Sequence, residues 1–255
     1  MSHVINRINE EGYNVYNSKM IIIKYNNAND IDIYFPKYDY VVKNRRYLCF
    51  KRGSIDCCFD KTVYGIGYLG EGDHKSSIGN KKTNCYQSWQ FMLERCYDKK
   101  WQIKNPTYKG CTVCEEWHCF QNFAEWYNDN YYEIKGEIMS LDKDIIVKGN
   151  KIYSPETCMF VPQRINSLFV KNDKNRGKYP IGVSWHKYNK KYRSTLHKID
   201  KKYNHLGYFD NIEDAFLCYK YYKEKYIKEV ANEYKNKIPQ KLHDAMCKWT
   251  VDRLD

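Results

Sequence analysis

The sequence predicts an α+β fold built from several small units, and three observations predict it. Short β-branched runs fill residues 10–70. Aromatic faces at helical spacing follow in the middle of the chain. A basic stretch near the C-terminus alternates like strands and then returns to helical period. With 255 residues the chain is long enough for one large domain or two to three small ones.

Charge bears on partners before it bears on fold. Lys and Arg number 43 against 31 Asp and Glu, a net charge of +12, which points to a polyanionic partner. Part of the richness in Lys, Asn, Ile and Tyr is what an A·T-rich genome would also give. No apolar run approaches a membrane span; the longest, Met20-Ile21-Ile22-Ile23, reads as a strand. Met1 is followed by Ser-His-Val-Ile-Asn with no apolar signal region, so secretion is not expected. The 11 cysteines are then expected to be reduced thiols, which an odd count suits better than a disulfide framework. The expected location is a cytoplasm, bacterial or phage-infected.

Residues 1–72 read as a small β-barrel-like domain. Met20–Tyr25 and Asp30–Phe35 are β-branched or alternating runs joined by turn chemistry at Asn26-Asn27-Ala28-Asn29, and Val41–Phe50 continues the pattern. Gly53, Gly65, Gly67, Gly70 and Gly72 punctuate its end. A packing or docking role and a nucleic-acid contact through Arg45, Arg46, Lys51 and Arg52 are equally open.

Glu71 to Thr83 is polar and reads as a linker. Beyond it Tyr86, Trp89, Met92, Leu93, Cys96 and Tyr97 share one helical face. A second helix fits Glu115 to Asn128, with Trp117, Phe120, Phe123 and Tyr127 inward and the acidic Glu115 and Glu116 suiting its dipole. Cys111-Thr-Val-Cys114, with His118 and Cys119 near, invites a zinc reading. A second closely spaced pair is missing, so zinc is not expected, and buried free thiols are the better reading.

Leu141 to Phe169 is the stretch around which the middle of the chain is organised. Asp142 ends a short apolar run of Ile138, Met139 and Leu141. Gly149-Asn150 supply a turn, Ser154-Pro155-Glu156 close the loop, and a helix starts near Pro162 with Asn166 one turn in. A strand, loop, strand and helix of this outline could bring Asp142 and Asn166 to one metal ion. Lys143 stands where general-base chemistry would want a histidine.

Residues 171–205 are the most basic. Lys171, Lys174, Arg176, Lys178, Lys187, Lys190, Lys191, Arg193, Lys198, Lys201 and Lys202 face only Asp173 and Asp200. Ile181, Val183 and Trp185, then Tyr192 and Leu196, then Tyr203 and Leu206 punctuate them, which predicts three antiparallel strands. Asp210-Asn211-Ile212-Glu213 is a capping-box pattern, and apolar residues at helical spacing run from Ile212 to Tyr234. A three-stranded sheet backed by one helix leaves its other face free. That face is expected to carry Trp185, Lys187, Lys191 and Arg193, with Tyr192 beside them, as a DNA-binding set, because a strand ribbon fits the major groove. A short helix closes the chain, carried by Leu242, Ala245, Met246 and Trp249.

On these residues the chain resembles known modules. Trp89, Met92, Arg95-Cys96-Tyr97, Pro106-Thr-Tyr108, Val113-Cys114-Glu-Glu-Trp117 and Phe120, leading to Leu141-Asp142, Pro155-Glu156 and Asn166, resemble a phage-type HNH endonuclease over residues 84–170. Gly182-Val183, Lys191-Tyr192, Leu206-Gly207-Tyr-Phe209-Asp210 and Glu213-Asp-Ala215-Phe216 resemble the apetala-two DNA-binding domain of ethylene-response factors over residues 177–235. Residues 236–255 hold the closing helix. The HNH resemblance implies a ββα fold around one Mg²⁺ or Mn²⁺, with Asp142 and Asn166 as its ligands and the ion stabilising charge at the scissile phosphate. It also implies a histidine base after the aspartate and an asparagine that orients it. Lys143 and Thr157 stand at those positions, and a charged lysine neither activates water nor binds a cation. A deprotonated Lys143, a substitute base such as His118 or Asp144, and a Lys143 that contacts phosphate are the three ways out. The expected function is a DNA-binding protein on a degenerate homing-endonuclease scaffold, with Asp142 and Lys143 as the catalytic candidates if it cuts. The alternatives are an active metal-dependent endonuclease and a counter-defence protein that binds a host protein.

Overall fold

The computed structural model describes residues 6–170, 178–197 and 203–253. Their contacts group into two units: the chain up to Asp129 together with Ile152–Ser154, and Asn130–Lys151 together with Pro155 onward. Several small sheets and interspersed helices make the mixed α and β architecture that the patterning predicts.

The first unit opens with β1 (Glu11–Tyr13), β2 (Lys19–Asn27), β3 (Asp30–Phe35) and β4 (Tyr40–Arg45), an antiparallel sheet in sequence order. Period-two alternation aims Met20, Ile22, Ile31, Ile33 and Phe35 inward, all fully buried. The expected barrel is not what forms. Among the described residues the sheet stays open, with β1 and β4 as its edges. The run Val41–Phe50, expected to be all strand, divides: Asn44 turns to φ 56 while its N–H donates to Asp32 Oδ1 at 3.0 Å, and α1 (Tyr47–Lys51) follows. Asparagine tolerates that left-handed conformation, which falls at an irregularity in the β3–β4 ladder; Arg45, opposite Ile31, is the last residue of the strand. Several of the glycines after it serve close approach. A Cβ on Gly67 would overlap Trp89 and Leu93, and one on Gly72 would overlap Gln121. Below the sheet the buried Asp60 accepts from Asn14 Nδ2 at 2.6 Å, Ser18 Oγ at 2.5 Å and the N–H of Cys57 at 2.9 Å, so its charge is fully met.

The segment expected as linker contains a small hairpin, β5 (Ser77–Ile78) and β6 (Lys81–Lys82). Thr83 Oγ1 accepts from Tyr86 N–H and starts α2 (Asn84–Tyr97); α3 (Lys99–Lys104) follows, capped by Asp98. After β7 (Thr112–Val113), the predicted helix from Glu115 is a 3₁₀ turn over Glu115–His118, and α4 (Phe120–Asn130) begins past it. Trp89, Leu93, Trp117 and Phe123 form the interior here, and Trp89 Nε1 donates to the Trp117 carbonyl at 2.7 Å.

β8 (Met139–Asp142) belongs to the second unit. The chain then returns to the first for β9 (Ile152–Tyr153), which pairs in parallel with β7. β10 (Met159–Pro162) pairs antiparallel with β8, Met159 opposite Asp142, and α5 (Gln163–Asn166) leaves directly from it. β11 (Val183–His186), β12 (Lys191–His197) and β13 (Tyr203–Phe209) form the expected three-stranded antiparallel sheet. α6 (Ile212–Tyr234) backs it, and α7 (Gln240–Lys248) packs on α6. One core joins them: Ile145, Val161 and Ile165 from the ββα segment lie with Leu196, Phe216, Val230 and Leu242. The segment expected to stand as one domain over residues 84–170 is thus divided, its hairpin sharing a core with the sheet and helix that follow.

Candidate functional site

β8, its loop, β10 and the short α5 follow one another here, and the loop is shaped by Asp142. The carboxylate Oδ1 accepts from the N–H groups of Asp144 at 2.9 Å and Ile145 at 2.8 Å, which turns the chain out of β8. Burial, then the nearby Asp144 charge, raises the pKa of Asp142 to about 6, against the pull of those two N–H donors and of Lys143. Gly149, at φ 79, and Asn150 form the expected turn, and Asn150 Nδ2 donates to the Lys143 carbonyl at 2.7 Å. Lys143 is 7% exposed, and its Nζ lies 3.0 Å from Asp144 Oδ2. The ammonium is therefore turned inward onto a carboxylate. Asn166 ends α5, which packs on both β8 and β10. The register puts Asp142 at the end of the ladder opposite Met159, whereas α5 departs from the end where Pro162 faces Met139. Three residue steps, about 10 Å of strand, separate those ends.

The donors here fit a divalent ion poorly. One Asp142 oxygen is committed to two N–H groups, the next side chain is an ammonium, and among the described residues no three His, Cys, Asp or Glu side chains converge. In the first unit, the His118 ring lies 3.2 Å from the Val113 carbonyl and Cys119 Sγ lies 3.9 Å from the Leu69 carbonyl, so both are engaged by backbone.

The basic sheet is the better-defined surface. Ser194 and Leu196 are buried against α6, which makes residues of even number on β12 the helix side and those of odd number the open side. Lys191 and Arg193 therefore share the open face. Lys191 pairs with Asp210 at 3.1 Å, and Arg193 Nε donates to Ser184 Oγ at 3.2 Å. The register adds His186 opposite Lys191 and Tyr208 opposite Arg193, with His205 beside them. The rings of His186 and Tyr208 meet at 5.0 Å across the central strand, and His205 packs on Tyr208 at 4.5 Å. Trp185 and Tyr192, expected on this face, pair with one another on the helix side, their rings 5.0 Å apart, although Trp185 stays 40% exposed. Lys187 sits in the tight loop from β11 to β12, next to a Tyr188 that is 92% exposed. Lys171, Lys174, Arg176, Lys198, Lys201 and Lys202, with Asp173 and Asp200, lie outside the described residues.

His186, His205 and Tyr208 were the residues a sequence reading passes over. A signal existed, because Val183 and Trp185, like Tyr192 and Leu196, share strand parity and so belong to the core side. No family model, no curated protein and no solved structure matches this chain.

Proposed function

We propose that this protein binds duplex DNA through the open face of the β11–β13 sheet, on a scaffold that resembles a homing endonuclease without its catalytic histidine. One observation carries the reading. Lys191 and Arg193 stand on a sheet face that α6 leaves uncovered, in a chain of net charge +12. Two fixed cations on a strand ribbon suit phosphate contact, and the side chains beside them on the neighbouring strands suit base edges. Lys187 extends the positive surface into the loop. The cytoplasm of a bacterial or phage-infected cell is the location this reading implies.

Binding is measured by gel shift on a mixed-sequence duplex at rising salt. Affinity falls steeply with salt, and Lys191→Ala with Arg193→Ala lowers it at every sequence and reduces the slope of log affinity against log salt by about 2. Unchanged binding in the double variant removes the assignment.

Cleavage is the second reading, favoured by the ββα outline and by an Asp142 whose pKa is raised. Supercoiled plasmid incubated with Mg²⁺ or Mn²⁺ decides it. The poor donor set and the buried Lys143 lead us to expect no nicking. Nicking by the wild type, abolished in Asp142→Ala, would establish an endonuclease instead.

A further inference from the structure

We infer that His186 is the base-reading residue of the open face, presenting a single fixed hydrogen-bond donor, its Nε2–H, to an acceptor on a purine edge. The inference rests on the proposed binding of duplex DNA by this sheet. It starts from a bond inside the protein. The backbone N–H of Asn189 donates to His186 Nδ1 at 3.2 Å. A nitrogen that accepts a hydrogen bond carries no proton, so the neutral ring holds its proton on Nε2. Nε2 has no partner among the described residues, whereas the two cations of the same face are partly engaged, Lys191 by Asp210 and Arg193 by Ser184.

The ring is also held in place. It closes the end of β11, is tied to the following loop through Nδ1, and packs on Tyr208 at 5.0 Å with the planes tilted by 56°. Tyr208 is in turn backed by His205. A donor fixed at both its ring atoms and its stacking face loses little freedom on binding and tolerates little misplacement, which is what discrimination requires. The acceptors of matching polarity on the major-groove edge are N7 of either purine, O6 of guanine and O4 of thymine; cytosine offers a donor and is rejected, and thymine O4 lies beside the C5 methyl group, which leaves the purine edges favoured. Lys191 and Arg193 flank the ring and are suited to phosphate, which sets register without reading sequence.

The test is selection from a library of random-core duplexes by the full chain, the wild type beside His186→Phe. Phenylalanine keeps a ring against Tyr208 and removes both nitrogens. The wild type is expected to enrich a purine at one position about fivefold to tenfold, and the variant to lose that preference while keeping its salt dependence. A uniform loss of affinity with the preference intact, or an unchanged selection, overturns the inference. If Lys191→Ala with Arg193→Ala still binds fully, the proposed face itself fails; if that variant loses binding while His186→Phe selects as the wild type does, only this inference fails. Because phenylalanine also deprives Asn189 of its acceptor, a second measurement needs no variant. Nitrogen-15 spectra of the free protein, taken at a pH high enough for the imidazole to be neutral, are expected to show the ring proton of His186 on Nε2 rather than Nδ1. A proton at Nδ1 would overturn the assignment.

Discussion

At Asp142 two demands conflict. The carboxylate shapes the loop through two backbone N–H groups, yet burial and Asp144 hold its pKa up, to about 6 from 3.8. A carboxyl whose folded pKa is raised stabilises most below the unfolded value and loses that contribution as pH rises from about 4 through about 6. Asp142→Asn keeps an acceptor for both N–H groups and removes the charge. It should raise stability by roughly 1–3 kcal/mol above that window and by little near pH 4. Thermal melts at pH 4, 5 and 8 check this, and an equal effect at all three would contradict it. The position of Lys143 was legible in the sequence, but its burial was not. Nothing local says whether a lysine stem turns toward phosphate or folds back onto Asp144; the surrounding core decides.

Among the elements, the C-terminal sheet and α6 were the most legible, because strand alternation, with one irregularity at Ser194 and Thr195, gives way to helical period. The helix starts where expected, but its cap is Asn211, whose Oδ1 accepts from Asp214 N–H at 2.8 Å, one residue past the Asp210 and Glu213 pair of the capping box read from the sequence. The N-terminal glycines were misread. They resemble barrel punctuation, but what requires Gly67, Gly70 and Gly72 is the approach of their loop to Trp89 and Leu93 on α2 and to Cys119 and Gln121 at the start of α4, which no local pattern encodes. The same physics makes Gly182 a sensitive position. It has φ 75, and any Cβ there would run into the Tyr219 ring on α6. Gly182→Ala should cost at least about 2 kcal/mol, from backbone strain together with overpacking. Chemical denaturation measures it; a cost below about 0.5 kcal/mol, the level of an ordinary surface change, would mean that the helix does not sit this close to the turn.

Across the whole molecule, the boundaries drawn from the sequence follow motifs, while the contacts follow cores. The hairpin of the ββα segment contributes Ile145, Val161 and Ile165 to the interior built by α6, α7 and the sheet. Burying each such side chain is worth about 1.5–3 kcal/mol, too much for the sheet and helix to forgo. A fragment of residues 177–255 is therefore expected to associate or remain loosely packed, and one of residues 130–255 to fold cooperatively. Melting curves and amide dispersion in proton–nitrogen spectra distinguish the two. A well-dispersed spectrum from the shorter fragment would show that the hairpin is dispensable. Sequence motifs could not reveal this dependence, because each resembles a unit that is complete elsewhere.

The excursion of the chain through β9 has a consequence for synthesis. Thr112 and Val113 emerge from the ribosome about forty residues before Ile152 and Tyr153, the strand that completes their ladder. The N-terminal unit cannot finish on its own while translation proceeds. It must wait, with one edge unpaired, until residues 130–151 of the second unit have been made, so the birth order of the two units overlaps.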